Sequence, residues 1–142
     1  MSKSRRGGVL RLSKAPATPV SWLWAGRMPA GRLTLLDALP GTGKTTLVAS
    51  ILGQITREGG RWPDGTKVET PVSAVLIAHE DDPDTLRRRI EAAGGDVSRV
   101  HLWLKNVAGH LPRIPQDLKE LKKLLRSSGA KILVLEIGRA HV

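Results

Sequence analysis

The strongest constraint in this chain is one eight-residue run, Ala38-Leu39-Pro40-Gly41-Thr42-Gly43-Lys44-Thr45. It stands between a short apolar segment and a stretch of helical periodicity. A glycine-rich turn in that position closes main-chain N–H groups around an anion, and the helix N-terminus adds a favourable dipole. Gly41 and Gly43 have no Cβ, so the backbone there can enter conformations other residues avoid. The run predicts a loop for the phosphates of ATP, built from Pro40, Gly41, Thr42, Gly43, Lys44, Thr45 and Thr46. In such a loop Lys44 reaches the β- and γ-phosphates and the Thr45 hydroxyl is a ligand to Mg²⁺. Thr46 adds a hydroxyl near the α-phosphate. The strict pattern opens with glycine, and Ala38 satisfies only the relaxed form. From average residue frequencies, a chance match to that form in a chain this long is of order one per cent.

The flanking segments fit the same frame. Residues 33–36 (Leu-Thr-Leu-Leu) read as a buried strand running into the loop. Beyond the loop, Leu47, Val48, Ile51, Leu52 and Ile55 recur at helical spacing, and Gly59-Gly60 should stop that helix. Trp62-Pro63-Asp64-Gly65 predicts a turn, and residues 72–78 a strand ending at His79-Glu80-Asp81-Asp82. A helix should start at Pro83, with Leu86, Ile90 and Ala93 on its apolar side, and end at Gly94-Gly95. Residues 100–104 read as a strand, Leu118, Leu121, Leu124 and Leu125 as one side of a helix, and residues 131–135 as a strand. Alternating strand and helix implies an α/β fold, a parallel sheet with flanking helices.

A length of 142 residues suffices for one domain with a core. Without cysteine there is no disulfide framework and no thiolate metal site. No apolar run is long enough to cross a membrane, and the basic N-terminus lacks a secretory pattern, so a cytoplasmic protein is expected. Residues 1–19, basic and broken by Pro16 and Pro19, are expected to be a flexible tail. A net charge of +10 favours polyanions, although a solvated basic surface is the plainer explanation.

Other candidates carry two readings each. Glu80, just past a strand end, suits a carboxylate that orients or deprotonates an attacking water, and equally an acidic cluster preceding a helix. Glu136 follows an apolar strand where a carboxylate would hold Mg²⁺ through water, though Asp is usual there. His79, His101, His110 and His141 lack metal-ligand spacing. Arg87-Arg88-Arg89 reads as a solvated helix face, and Trp22 and Trp24 as packing residues rather than a stacking platform for bases.

Residues 20–36 (Val-Ser-Trp-Leu-Trp-Ala-Gly-Arg-Met-Pro-Ala-Gly-Arg-Leu-Thr-Leu-Leu) run into the glycine loop. Together with Trp62-Pro63-Asp64-Gly65, His79-Glu80-Asp81-Asp82 and Ile90-Glu91-Ala92-Ala93-Gly94-Gly95-Asp96, they resemble the RecA-like AAA ATPases of the RepA helicase group (AAA_25-type) over residues 20–135. The resemblance implies a RecA-like P-loop NTPase that hydrolyses ATP between subunits, with Lys44 and Glu80 as its catalytic residues. It implies a homo-oligomer, a hexamer in the replicative helicases, and single-stranded DNA as partner. A RecA-like recombination or repair ATPase and a nucleotide-dependent switch with little turnover are the alternatives.

The family pattern continues beyond residue 135, so the domain is expected to be incomplete at the C-terminus. In one frame the sequencing-adapter oligonucleotide AGATCGGAAGAGCACACGTCTGA encodes Ile-Gly-Arg-Ala-His-Val and a stop, the string found at residues 137–142. Residues 136–142 are accordingly expected to be adapter-derived, with Asp the natural residue at 136.

Overall fold

A computed structural model describes residues 8–32, 34–37, 39, 41–78 and 82–136. The chain divides into two compact units, residues 1–36 and 37–142. In the first, a single 3-10 turn at Leu12–Lys14 precedes a two-stranded antiparallel ribbon, β1 (Trp22–Trp24) and β2 (Met28–Pro29). The Arg27 N–H donates to Trp24 O at 2.9 Å, closing the turn, and the Arg27 guanidinium lies 5.3 Å from the Trp24 ring centroid. That is cation–π distance. Trp24 is half-buried and Trp22 is exposed, so only Trp24 fits the packing role expected of the pair.

The second unit holds the α/β domain: α1 (Lys44–Ile55), β3 (Ser73–Ile77), α2 (Pro83–Ala92), β4 (Val100–Leu102), α3 (Leu118–Ser128) and β5 (Ala130–Leu135). Its three strands are parallel in the order β4-β3-β5. β3 is central because its continuous apolar run, Ala74-Val75-Leu76-Ile77, can be buried on both faces, and all four residues are buried. α2 carries the chain from β3 to β4, and α3 carries it back across β3 to β5. α2 starts where its sequence says: the Asp82 carboxylate accepts the Thr85 N–H at 2.8 Å as N-cap, and Pro83 occupies the first turn. Its buried side is Leu86 and Ile90, while Arg87 and Arg88 on the outer side pair with Glu91 and Asp84. Among the described residues no helix is long and apolar enough to cross a membrane.

Two expectations are corrected. No strand forms at residues 34–37, and Leu35 and Leu36 are exposed, whatever their apolar character. A strand exists only through ladder bonds to a neighbour, and none of the described strands pairs with this segment. Helix α1 ends at Ile55 rather than at Gly59-Gly60. The Ile55 carbonyl accepts the Val72 N–H at 2.9 Å, a bond to the segment before β3 in place of one along the helix. The next residue, Thr56, is buried; its hydroxyl donates to Leu52 O at 2.6 Å and accepts Asp96 N–H at 3.0 Å. One side chain thus closes α1 and ties it to the turn after α2.

The α1–α2 contact is made at glycines. A Cβ on Gly53 would collide with the Ala93 Cβ and stand 2.9 Å from its carbonyl oxygen, and one on Gly95 would stand 2.9 Å from Gly53 Cα. Gly53→Ala should therefore destabilise the protein. Better helix propensity contributes about 1 kcal/mol, but overpacking costs about 1–3 kcal/mol with backbone on the other side. A urea midpoint lower than that of the parent chain checks this.

Three aspartates set an acid limit. Hydrogen bonds from Thr85 hold Asp82 below the usual carboxylate value of 3.8. Ser98 does the same for Asp96, and the Arg113 N–H and Asn106 amide for Asp117. A depressed folded value means that the stabilisation is complete above the ordinary pKa and lost as pH falls through the depressed one. Urea stability should hold from pH 7 to about pH 5 and drop below pH 4, and the drop should be shallower in Asp117→Asn.

Candidate functional site

The loop before α1 is shaped by its two glycines. Gly41 and Gly43 sit at φ +79° and +93°, a left-handed backbone region closed to most side chains. Between them Thr42 turns the chain back, its N–H and hydroxyl both donating to Leu39 O, at 3.3 and 2.6 Å. Pro40 and Ala38 lie outside the described residues.

Gly43 is the N-cap of α1, and no side chain caps the helix. The first helical bond recorded at this end is Leu47 N–H to Gly43 O, at 2.9 Å. The N–H groups of Lys44, Thr45 and Thr46 precede it and belong to the set every helix leaves without intrahelical partners. α2 caps one of that set, the Thr85 N–H, with Asp82; on α1 no side chain caps any of them. A carboxylate cap at Gly43 would repel phosphate, and glycine removes that obstacle. Lys44 and Thr45 are half-buried at this end, whereas Gly41, Thr42, Gly43 and Thr46 are exposed. Uncapped donors, an ammonium group and hydroxyls at one helix terminus suit a polyphosphate and an oxygen-loving cation beside it.

At the sheet, Leu135 is in register with Ile77, and the Glu136 N–H donates to Ile77 O at 2.9 Å. Glu136 therefore stands at the carboxyl edge of β5, level with the end of β3. That edge is where ligands gather in open parallel sheets. Glu80, which the chain places two residues past Ala78, lies outside the described residues, as do His79, Asp81 and residues 137–142. The structure thus brings Glu136 to the strand end that leads to Glu80. Among the described residues no ion pair joins Lys44 to a carboxylate, and no three His, Asp, Glu or Cys residues form a metal-holding group.

Two features escaped the sequence reading. In the loop before α3, Asn106 is buried; its amide donates to Asp117, and its carbonyl accepts Ala108 and His110 N–H groups at 3.1 and 3.0 Å. Nothing in a lone Asn announces a partner eleven residues away. The second is the outer face of α3, where Lys119, Lys122, Lys123 and Arg126 share one open stretch of surface. The spacing of the four is visible in the sequence; that no acid among the described residues faces them is not.

A parallel α/β domain with a left-handed glycine loop opening an uncapped helix is a P-loop nucleotide-binding domain. The chain belongs to the AAA domain family AAA_25, whose model matches residues 3–136, and so to the P-loop ATPases. No curated protein and no solved structure matches it.

Gly43→Ala should weaken ATP binding about tenfold, since a left-handed non-glycine residue costs roughly 1–2 kcal/mol. Lys44→Ala should weaken it at least as much. Calorimetric titration with ATP and Mg²⁺ measures both, and affinities equal to the parent chain's would show that the loop does not hold phosphate.

Proposed function

We propose that this protein is an ATP-hydrolysing motor that acts on DNA, of the kind represented by the RepA helicase group. The observation that carries the nucleotide half is the bare N-terminus of α1 behind left-handed Gly43. In this reading the N–H groups of Gly41 and of residues 43–46 cradle the phosphates, while the Thr42 N–H holds the turn to Leu39. Lys44 neutralises charge on the β- and γ-phosphates as the terminal phosphoryl group departs. Mg²⁺ would be held by the Thr45 hydroxyl, with Glu136 contributing through water, and would offset charge between the phosphates.

Glu80 is the general base: it takes a proton from water as the oxygen bonds to the γ-phosphorus and the bond to the ADP oxygen breaks. The capping role that competed for the acidic cluster is filled by Asp82, which leaves Glu80 without that duty. The resemblance to the RepA group supports assembly into a ring in which neighbours share sites. The net charge of +10 supports a phosphate-bearing polymer as partner.

Glu80→Gln should retain ATP binding and lose turnover by about a hundredfold or more, the scale on which positioned acid–base groups act. Phosphate release with and without single-stranded DNA is the measurement. Stimulation by DNA in the parent chain supports the motor. Tight ATP binding with no turnover in either condition would replace it with a nucleotide-dependent switch.

A further inference from the structure

Both surface helices of the α/β unit carry several cations, but they handle them differently. On α2, Arg87 pairs with Glu91 at 2.9 Å and Arg88 with Asp84 at 3.8 Å, each one helical turn away. On α3, Lys119, Lys122, Lys123 and Arg126 stand at spacings i, i+3, i+4 and i+7, which is one helix face. All four are exposed, and none has an ion-pair partner among the described residues. The helix's one acid, Glu120, is turned away: its carboxylate accepts the Val107 N–H at 3.1 Å and secures the preceding loop. Neighbouring like charges at these spacings destabilise a helix. α3 sustains four such neighbour pairs with no acid on the same face, a cost that a bound polyanion would remove.

The four cations and Ser127 share one open stretch of surface. From residue 119 to 126 the helix rises about 10 Å, comparable to three base-pair steps of about 3.4 Å along a duplex axis. An anionic membrane is the other large polyanion, but a surface-lying helix must bury an apolar face in the lipid. The apolar side of α3 is already used: Leu121 is buried, Leu124 and Leu125 are half-buried, and the helix packs on β3 and β5.

We propose that the outer face of α3, Lys119, Lys122, Lys123 and Arg126, is a contact surface for the phosphate backbone of a nucleic acid. This rests on the reading of the protein as a DNA-associated ATPase and names where the strand is held. The contact is electrostatic and indifferent to sequence. Ligand recognition at α3 is separate from the glycine loop, so losing it leaves nucleotide binding intact.

The test uses the full chain and a fluorescein-labelled single-stranded DNA of mixed sequence, with anisotropy recorded across a salt series. The variant Lys119→Gln/Lys122→Gln/Lys123→Gln/Arg126→Gln should bind at least about tenfold more weakly. Its slope of log affinity against log salt should be shallower by about 3, from four contacts at roughly 0.7 each. ATP affinity and the circular dichroism spectrum should match the parent chain. Arg87→Gln/Arg88→Gln should leave binding unchanged, and Lys119→Arg/Lys122→Arg/Lys123→Arg should preserve it. Should the fourfold variant fold poorly, single Lys→Gln changes should each reduce the slope by about 0.7. Parent-like affinity and slope in the folded α3 variants would overturn the surface while leaving the DNA reading in place. A parent chain that ignores DNA at low salt would overturn both, and so would retention on phosphatidylserine vesicles in place of DNA.

Discussion

The α/β unit depends on β3 being paired on both sides. Once β4 and β5 take its two rows of backbone donors and acceptors, every residue from Ala74 to Ile77 is sealed from water and the strand directions are fixed. Parallel pairing then brings the ends of β3 and β5 to one edge, where Glu136 bonds to Ile77. The connections follow from the same constraint. A parallel neighbour cannot be reached by a tight hairpin, so α2 and α3 must cross; α3 packs on β3 and β5, and α2 packs on α1.

Helix α1 is held by different means. Its links within the unit include a close glycine contact with the end of α2, the Thr56 hydroxyl and the Ile55–Val72 bond, these three at its C-terminal half. The N-terminal half, with Lys44 and Thr45, is left with its donors uncapped. Anchoring one end and leaving the other chemically unsatisfied is a sensible division for a helix that binds an anion at its start. The three helix starts show three solutions to one problem: Gly43 leaves the donors open, Asp82 caps one of them with a carboxylate, and Asp117 turns its carboxylate instead to Asn106 and the Arg113 N–H.

Charge is distributed by the same logic. A net of +10 could mean nothing more than a well-solvated surface, and α2 shows that outcome, with its arginines matched by acids one turn away. On α3 the single acid is diverted into the preceding loop, so the positive face stands unopposed. The difference lies in where Glu120 points, which composition cannot express.

The sequence by itself determined the glycine loop, the alternation of strand and helix, the start of α2 at Pro83 and the apolar sides of α2 and α3. Each of these is local: it follows from Cβ-free glycines, proline geometry, a short carboxylate cap or the 3.6-residue period. Tertiary structure decided which apolar run became a strand. Thr34-Leu35-Leu36 looks as strand-like as Ser73-Ala74-Val75-Leu76-Ile77, but of the two only the latter has neighbours among the described strands to complete its ladder. It also decided that α1 stops at Ile55, where the Ile55 carbonyl accepts the Val72 N–H and the buried Thr56 ties the chain to Asp96. Pairing and packing are properties of two segments at once, and a residue's own chemistry does not say which partner will arrive.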